Sequence, residues 1–136
     1  PKYMVLGKKD FQQLFLIRKH IIKNNIKTSI VAHKTVRNQN SIPYSSRNLN
    51  LSKYDKILAS KVFKTLKNEK FLIKRKKIKK INLLNVKNKI LKMGIKRVDY
   101  IEALNLKSLK KAKKFNENFN IFSAFYIGNV RLIDNF

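Results

Sequence analysis

The sequence predicts an α/β protein in which a parallel strand–helix–strand unit precedes helices and a small antiparallel sheet. Two observations support this class. Residues 3–32 contain two short apolar runs on either side of a segment with helical periodicity. Residues 97–133 contain apolar runs of strand length, with a Gly-Asn pair before the last of them. At 136 residues and 43% hydrophobic content, the chain is long enough to bury a core.

The first unit opens with the apolar run Tyr3-Met4-Val5-Leu6, which ends at Gly7 and is typical of a buried strand. Asp10 is the expected N-cap of a helix that continues to about Asn24. The helical stripe consists of Phe11, Leu14, Phe15, Ile17, Ile21 and Ile22. A second strand is predicted at residues 28–32. Because a helical crossover joins parallel strands, these two strands should pair in parallel.

A polar loop is expected over residues 38–51, before a second helix. Ser52 should cap this helix together with Asp55, three residues further on. The apolar stripe of the helix is predicted to consist of Tyr54, Leu58, Val62 and Leu66. Residues 70–80 hold the densest lysine cluster, which we interpret as a solvated linker or helix face. Another helix carries Leu83, Val86, Ile90 and Leu91, and Gly94 is expected to end it.

The last part of the chain is predicted to form a small antiparallel sheet. Strands are expected at residues 98–103, 121–127 and 130–133. A lysine-rich link over residues 107–114 separates the first two strands. Gly128-Asn129 supplies the residues of a tight turn before the last strand.

Charge is the most extreme feature of the composition. The 33 Lys and Arg residues against 7 acidic ones give a net charge of +26. Such a positive charge is typical of proteins that bind nucleic acid. Nearly all of these cations are lysines, however, whereas base-edge readout favours arginine. The lysines also accompany many Asn and Ile residues, so we interpret most of the charge as compositional drift on solvated faces. A polyanion partner stays open as an alternative.

The chain contains no cysteine, which excludes disulfides and thiolate metal sites. No apolar run approaches the ~20 residues that span a bilayer, and no signal-peptide pattern opens the chain. We therefore expect a cytoplasmic protein. Because Pro1 lies almost directly before the first predicted strand, we also expect a piece of a longer polypeptide.

The segment from Gly7 to Gln13 lies where the first strand passes into the helix, at the sheet edge where ligands bind in open parallel sheets. Gly7 permits close backbone approach, and the helix N-terminus favours anions. Lys9 can reach phosphate oxygens, Asp10 can bond ribose hydroxyls, and Gln13 can present its amide to a small polar substrate. A helix start with solvated lysines explains the same spacing equally well.

The segment Tyr44-Ser45-Ser46-Arg47-Asn48 follows Pro43 and collects two hydroxyls, a guanidinium and a carboxamide. Hydroxyls and an arginine fork suit the oxygens of a phosphate or carboxylate. On local chemistry alone, an ordinary surface loop is the commoner explanation of such a stretch.

Taken together, three motifs resemble the pantothenate synthetases, the pantoate–β-alanine ligases. The motifs are Gly7-Lys8-Lys9-Asp10-Phe11-Gln12-Gln13-Leu14, Val36-Arg37 with the later Tyr44-Ser45-Ser46-Arg47-Asn48, and the stretch from Gly128 through Asn135. Their order and separations match the family over essentially all 136 residues. The resemblance covers only the C-terminal half of such an enzyme.

The resemblance implies that residues 1–34 are the tail of a nucleotidyltransferase-like Rossmann domain that binds ATP and pantoate. Residues 35–136 would then form a C-terminal lid domain. It also implies an ATP-dependent ligase. Pantoate and ATP, accompanied by Mg²⁺, form pantoyl adenylate and pyrophosphate, and β-alanine then displaces AMP to give pantothenate. The family further implies a homodimer whose contacts lie largely outside these residues.

The same resemblance implies a role for each motif residue. Contacts with ATP would come from Gly7, Lys8, Lys9, Asp10, Val36, Tyr44, Ser45, Ser46 and Arg47. Gln13 would contact pantoate. Negative charge builds up as a carboxylate attacks the α-phosphate, so the candidate catalytic residues are Lys9, Ser45, Ser46 and Arg47. No protein nucleophile is needed, and no metal ligand is predicted within the chain.

The chain departs from the family pattern at two places and omits a third feature. Lys8 replaces a more common Glu, and residues 38–43 replace an acidic, glycine-containing turn. The HxGH-type motif that grips ATP is absent, and His20 and His33 have the wrong spacing to replace it. We therefore expect the 136 residues alone to be inactive. The alternatives are a lysine-rich nucleic-acid-binding module without catalytic activity, and a ligase that adenylates another small acid.

Overall fold

The structure is a computed structural model that describes all 136 residues as two compact units. The first unit is Pro1–Val36 and the second is Arg37–Phe136. The first unit has the parallel α/β arrangement that the sequence predicts, and the second has the predicted helices and antiparallel sheet of a small α+β domain. None of the helices combines the length and the apolar character that a bilayer crossing requires.

The first unit is a parallel β-α-β arrangement, as predicted. Strand β1 (Tyr3–Gly7) and strand β2 (Ser29–His33) pair in parallel, and helix α1 (Phe11–Lys23) connects them. A 3₁₀ turn, Lys8–Asp10, links β1 to α1. Gly7 and His33 are the last residues to pair, so both lie at the carboxyl ends of their strands.

Asp10 occupies the predicted N-cap position of α1 but does not cap the helix with its side chain. Its side chain makes no capping hydrogen bond, and its backbone has φ −90° and ψ 56°. An N-cap residue normally has an extended backbone that turns its side chain toward the first helical N–H groups. Here the 3₁₀ turn places Asp10 in a different conformation.

Little of the first unit is buried. Leu14 is the buried residue of α1, whereas Ile22, assigned to the apolar stripe from sequence, is exposed. The strands leave Tyr3, Val5 and Val31 exposed as well. A two-stranded sheet is marginally stable by itself, so burial within Pro1–Val36 contributes little to the stability of this unit.

Helix α2 (Lys53–Arg75) opens the helical layer of the second unit and begins with the predicted capping box. The Asp55 N–H donates to Ser52 Oγ at 3.1 Å, and the Ser52 N–H donates to Asp55 Oδ2 at 3.0 Å. Two N–H groups at the helix start thereby acquire acceptors. Within the predicted stripe Val62 and Leu66 are fully buried.

The assignment of Tyr54 to this stripe is wrong. Its side chain is 72% exposed and borders a cavity of about 490 Å³ that Tyr126 and Gly128 also line. The helical spacing is correct, but the first turn of α2 meets a cavity rather than packed side chains.

Helix α3 (Leu84–Lys92) and the sheet complete the second unit. Gly94 has φ +101°, the left-handed conformation with which helices commonly end, as predicted. Strands β3 (Arg97–Asn105), β4 (Phe119–Ile127) and β5 (Val130–Asn135) form an antiparallel sheet in the order β3-β4-β5. The predicted turn at Gly128 joins β4 to β5, with φ +56° at the glycine.

The core of the second unit lies between α2 and the sheet. Phe63 of α2 is 1% exposed, and its ring meets that of Phe125 edge-on at a centroid distance of 5.4 Å. The loop before α2 also contributes to this core through Ile42 and Leu51. Buried apolar residues therefore lie on both sides of the predicted phosphate-binding segment, residues 44–48.

Two lysine-rich stretches that are distant in sequence lie side by side. The Ile81 N–H donates to Lys113 O at 2.9 Å, and the Phe115 N–H donates to Ile78 O at 3.3 Å. Glu117 accepts hydrogen bonds from the backbone N–H groups of Lys113 and Lys114, at 2.7 and 3.0 Å. These bonds, that of Lys113 foremost, hold the pKa of Glu117 below its usual value.

Candidate functional site

The predicted site residues divide between the two units. Gly7, Lys8, Lys9, Asp10, Gln13 and Val36 belong to Pro1–Val36, and Tyr44, Ser45, Ser46 and Arg47 belong to Arg37–Phe136. Each half of the candidate site is therefore described on its own unit.

The first half surrounds the junction between β1 and α1. Gly7 ends the strand with φ −76° and ψ 137°, a conformation open to any residue. A side chain built at this position would meet no atom within 4 Å. Neither backbone conformation nor packing requires glycine here, whereas a ligand that approached the backbone closely would require it. The space before Gly7 is therefore open to an approaching ligand.

The polar residues of this junction lie on the surface of the unit. Lys8 and Asp10 are exposed, and Lys9 is half-buried in the 3₁₀ turn. Gln13 is exposed in the first turn of α1, immediately before the buried Leu14 that anchors the helix. This half of the site consequently presents the side chains of Lys8, Asp10 and Gln13 to solvent next to the end of β1.

Val36 is the last residue of the first unit, and its side chain is exposed. His33 ends β2, and its Nδ1 lies 2.8 Å from Lys34 O. His20 is exposed on α1, where its Nδ1 lies 3.3 Å from Asn24 Nδ2. The two histidines therefore occupy the strand-end and helix-surface positions predicted for them.

The second half is the segment from Tyr44 to Arg47. Tyr44, Ser46 and Arg47 are exposed, and Ser45 is half-buried. The chain turns through a short 3₁₀ helix, Ser46–Asn50, whose N-cap is Ser45. Serine, an effective N-cap residue, accepts here from the Arg47 N–H at 3.3 Å.

Hydrogen bonds bracket this segment. Asn48 Nδ2 donates to Pro43 O at 2.8 Å, and the Asn48 N–H donates to Ser45 O at 3.1 Å. Pro43 and its neighbour Ile42 are buried. The exposed hydroxyl and guanidinium groups thus project from a backbone whose two flanks are held in place.

The arginine of the terminal motif has a structural partner. Arg131 Nε donates to Asp99 Oδ2 at 2.7 Å. This hydrogen bond lowers the pKa of Asp99, assisted by the charge of Arg97, and raises the pKa of Arg131. Arg131 therefore links β5 to β3 and is engaged within the sheet.

Two residues near the base of the loop that carries Tyr44–Arg47 were not identified as functional from the sequence. Arg37 and Asp134 form a salt bridge at the base of the loop. Both lie within the quoted motifs, but they are separated by 97 positions, and no pattern in the sequence pairs them.

The donor chemistry of the chain bears on the Mg²⁺ that the family implies. No three His, Asp or Glu side chains lie together in a group that could hold a metal ion. Asp10 is the single acidic residue among the first 54. Mg²⁺ commonly binds through substrate phosphates, waters and one or two carboxylates. These residues fit an ion that arrives with the nucleotide, not one held in a protein cage.

Fold and site together define an α/β protein with a glycine-ended strand edge and a hydroxyl–arginine segment. All 136 residues match the family model described as pantoate-beta-alanine ligase, and the chain belongs to this family.

Curated relatives include the pantothenate synthetases of Francisella tularensis subsp. mediasiatica (strain FSC147) and subsp. novicida (strain U112). Each is 38% identical to the chain over 136 residues. The alignment covers 100% of this chain and 43% of each relative, so the chain spans less than half the length of these enzymes.

Solved structures agree with the fold. The pantothenate synthetase of Thermus thermophilus superposes with a TM-score of 0.88 at 23% identity, covering 100% of this chain and 49% of that one. The pantoate-beta-alanine ligase of Francisella tularensis, complexed with Beta-gamma ATP and Beta-alanine, gives a TM-score of 0.75 at 38% identity. The alignment covers 100% of this chain and 43% of that structure.

Proposed function

We propose that the chain is part of an ATP-dependent ligase that joins pantoate to β-alanine and forms pantothenate. The observation that carries this proposal is the match of all 136 residues to the pantoate-beta-alanine ligase family. The complex of the Francisella tularensis relative with Beta-gamma ATP and Beta-alanine supports the same substrates. We further propose that residues 1–34 belong to the nucleotide-binding domain and residues 35–136 to a lid over the reaction site.

The proposed reaction has two steps. A pantoate carboxylate oxygen attacks the α-phosphorus of ATP, an oxygen–phosphorus bond forms, and the bond to pyrophosphate breaks. The amine of β-alanine then attacks the activated acyl carbon, a carbon–nitrogen bond forms, AMP leaves, and the amine loses a proton. Both nucleophiles belong to substrates, so the protein has to orient them and stabilise negative charge.

Residues of the first unit would hold the substrates at the end of β1. The nucleotide would approach the open space before Gly7, with Lys8 and Lys9 near its phosphates and Asp10 on the ribose hydroxyls. Gln13 would donate a hydrogen bond from its side-chain amide N–H to pantoate, and Val36 would contact the nucleotide. The positive charge of Lys9 would stabilise the negative charge that grows during attack at the α-phosphorus.

Residues of the second unit would close over the phosphates. The hydroxyls of Ser45 and Ser46 would donate to phosphate oxygens, and Arg47 would present its planar fork to two of them. Tyr44 would cover the nucleotide from the same segment. Mg²⁺ would supply further charge neutralisation at the phosphates when the nucleotide is bound. As in the family, we propose a homodimer that acts in the cytoplasm.

A chimeric enzyme tests this proposal. The chain would replace the matching 43% of the Francisella tularensis pantothenate synthetase, and ATP- and pantoate-dependent release of AMP would be measured with and without β-alanine. We expect the chimera to make pantothenate and the 136 residues alone to make none. Other small carboxylic acids offered in place of pantoate would test the alternative of a different acid substrate.

Arg47→Ala is the informative variant within this chimera. Loss of a phosphate-binding arginine should lower kcat/KM by about 10²-fold or more, as for other transition-state charge contacts. Arg75→Ala, at the exposed end of α2, is the matched control and should change kcat/KM less than twofold. An active chimera in which Arg47→Ala behaves like Arg75→Ala would contradict the assigned role.

A further inference from the structure

Arg37 and Asp134 form a buried two-point ion pair at the start of the loop that carries Tyr44–Arg47. Arg37 Nη2 donates to Asp134 Oδ1 at 2.9 Å, and Arg37 Nη1 donates to Asp134 Oδ2 at 2.5 Å. The Asp134 side chain is 0% exposed and that of Arg37 is 23% exposed. The Arg37 guanidinium also lies 4.4 Å from the centre of the Phe136 ring.

A buried ion pair is by itself weak evidence that its residues serve only to stabilise the fold. Removing two charges from water is costly, and well-packed apolar residues often stabilise a fold as well or better. The cost is compensated here because each charged group has further partners. Asp134 Oδ1 accepts from the Asn135 N–H at 2.8 Å, and Arg37 Nη1 donates to Ser41 O at 3.0 Å. The bond to Ser41 connects the pair to the loop.

The turn formed by residues 38–42 is closed around this contact. Arg37 and Pro43 form an antiparallel bridge across it. Asn38 donates its N–H to Ile42 O at 3.0 Å, and Asn38 Oδ1 accepts from the Ile42 N–H, also at 3.0 Å. Ser41 has φ +67°, a conformation unfavourable for a serine unless its surroundings hold it. The Arg37 guanidinium on Ser41 O is one of those restraints.

This turn also fixes the start of the candidate phosphate segment. Pro43 ends the turn, and its carbonyl accepts from Asn48 Nδ2 at 2.8 Å across Tyr44–Arg47. A shift of Pro43 therefore moves the base from which Ser45, Ser46 and Arg47 project. The ion pair, the turn and the Asn48 bond form one continuous chain of contacts.

We propose that Arg37 and Asp134 are positioning residues, which hold the Tyr44–Arg47 segment in the conformation that receives the phosphates of ATP. The ligand named in this inference, ATP, rests on the proposed function. The structural part of the inference, that the ion pair holds the Tyr44–Arg47 segment in place, does not depend on it. A segment already ordered before binding loses less conformational freedom when the ligand arrives. Loss of the pair should therefore weaken ATP binding although neither residue touches the nucleotide.

Arg37→Lys is the test variant, because lysine keeps the charge but lacks the fork that meets Asp134 and Ser41 together. Arg97→Lys is the matched control. Arg97 also donates to an aspartate, Asp99 at 3.2 Å, and also lies 4.4 Å from an aromatic ring, that of Tyr126. It is 68% exposed on β3.

The structural part is tested by hydrogen exchange of the 136-residue chain. Arg37→Lys should speed exchange of the bonded amides of Asn38, Ile42 and Asn48 by about tenfold or more, because these bonds open with the turn. Amides of β4 should be unchanged, which shows that the sheet is intact. Arg97→Lys should leave the three amides as they are. Unchanged loop exchange in Arg37→Lys would overturn the proposal.

The functional part is tested in the chimeric enzyme. Arg37→Lys should raise KM for ATP by about tenfold or more while KM for β-alanine stays within twofold, because the segment is proposed to contact ATP and not β-alanine. Asp134→Asn, which keeps shape but removes the charge, should give the same split. A faster-exchanging loop with an unchanged KM for ATP would overturn positioning. If Arg47→Ala is also without effect, the proposed function fails instead.

Discussion

Truncation of Phe63 should remove a large part of the stability of residues 37–136. The side chain is 1% exposed, and its ring contacts Phe125 at 5.4 Å and Phe136 at 6.2 Å between centroids. Replacing a buried Phe by Ala costs about 3–5 kcal/mol. Aromatic pairs contribute about 0.5–1.5 kcal/mol beyond the area they bury, so the upper part of this range is expected.

Domains are stable by only about 5–15 kcal/mol, so Phe63→Ala should remove on the order of half of the free energy of unfolding. Urea denaturation followed by far-ultraviolet circular dichroism measures this loss. Tyr54→Ala is the control, because Tyr54 lies on the same helix but is 72% exposed. It should change the free energy of unfolding by no more than about 0.5 kcal/mol.

Two outcomes would refute this reasoning about the core. Phe63→Ala could lose less than about 1 kcal/mol with an unchanged m-value, which would mean that the site collapses without a cavity. Alternatively, Tyr54→Ala could cost as much as Phe63→Ala. In that case Tyr54 would be buried with the rest of the stripe predicted from sequence, contrary to its exposure in the structure.

Three further predictions concern other parts of the chain. Ser52→Ala should lower the free energy of unfolding by about 1 kcal/mol in the same urea assay, because it removes one half of the capping box; Ser52→Asp keeps an acceptor and should restore most of the loss. Glu117→Gln should destabilise the chain more at pH 7 than at pH 3. The pKa of Glu117 is lowered on folding, so its contribution is present above the ordinary value of 4.5 and is lost as the pH falls through the lowered pKa; equal destabilisation at both pH values would contradict this. Amides of β1 and β2 should exchange faster than those of β4, because Pro1–Val36 buries so little apolar surface; equal protection in hydrogen-exchange mass spectrometry would contradict this interpretation of the burial.

The strands and helices could be predicted because their signals are local. Ser52 and Asp55 are three residues apart, and a capping box needs nothing else. Gly94 and Gly128 end a helix and turn a hairpin through conformations that other residues adopt with difficulty. The parallel pairing of β1 with β2 followed from the helix between them.

The failures of prediction concern neighbours that a local pattern does not contain. Tyr54 has the helical spacing of a core residue, but whether a side chain is buried depends on what lies opposite, and a cavity lies there. Asp10 has the residue type of an N-cap, but the preceding 3₁₀ turn changes its backbone. In both cases tertiary or adjacent structure overrides the local preference.

For the candidate site, the sequence by itself determined which chemical groups are present. Glycine at the end of β1, two lysines beside it, and the hydroxyls and guanidinium of residues 45–47 can be identified without coordinates. What only the tertiary structure decided is how the segment that carries the hydroxyls and guanidinium of residues 45–47 is held in place. Arg37 and Asp134 are separated by 97 positions, and they meet because the β4–β5 pairing brings the end of the chain to the base of the loop. Side-chain chemistry is a property of single residues, whereas the order of a loop depends on contacts between distant ones.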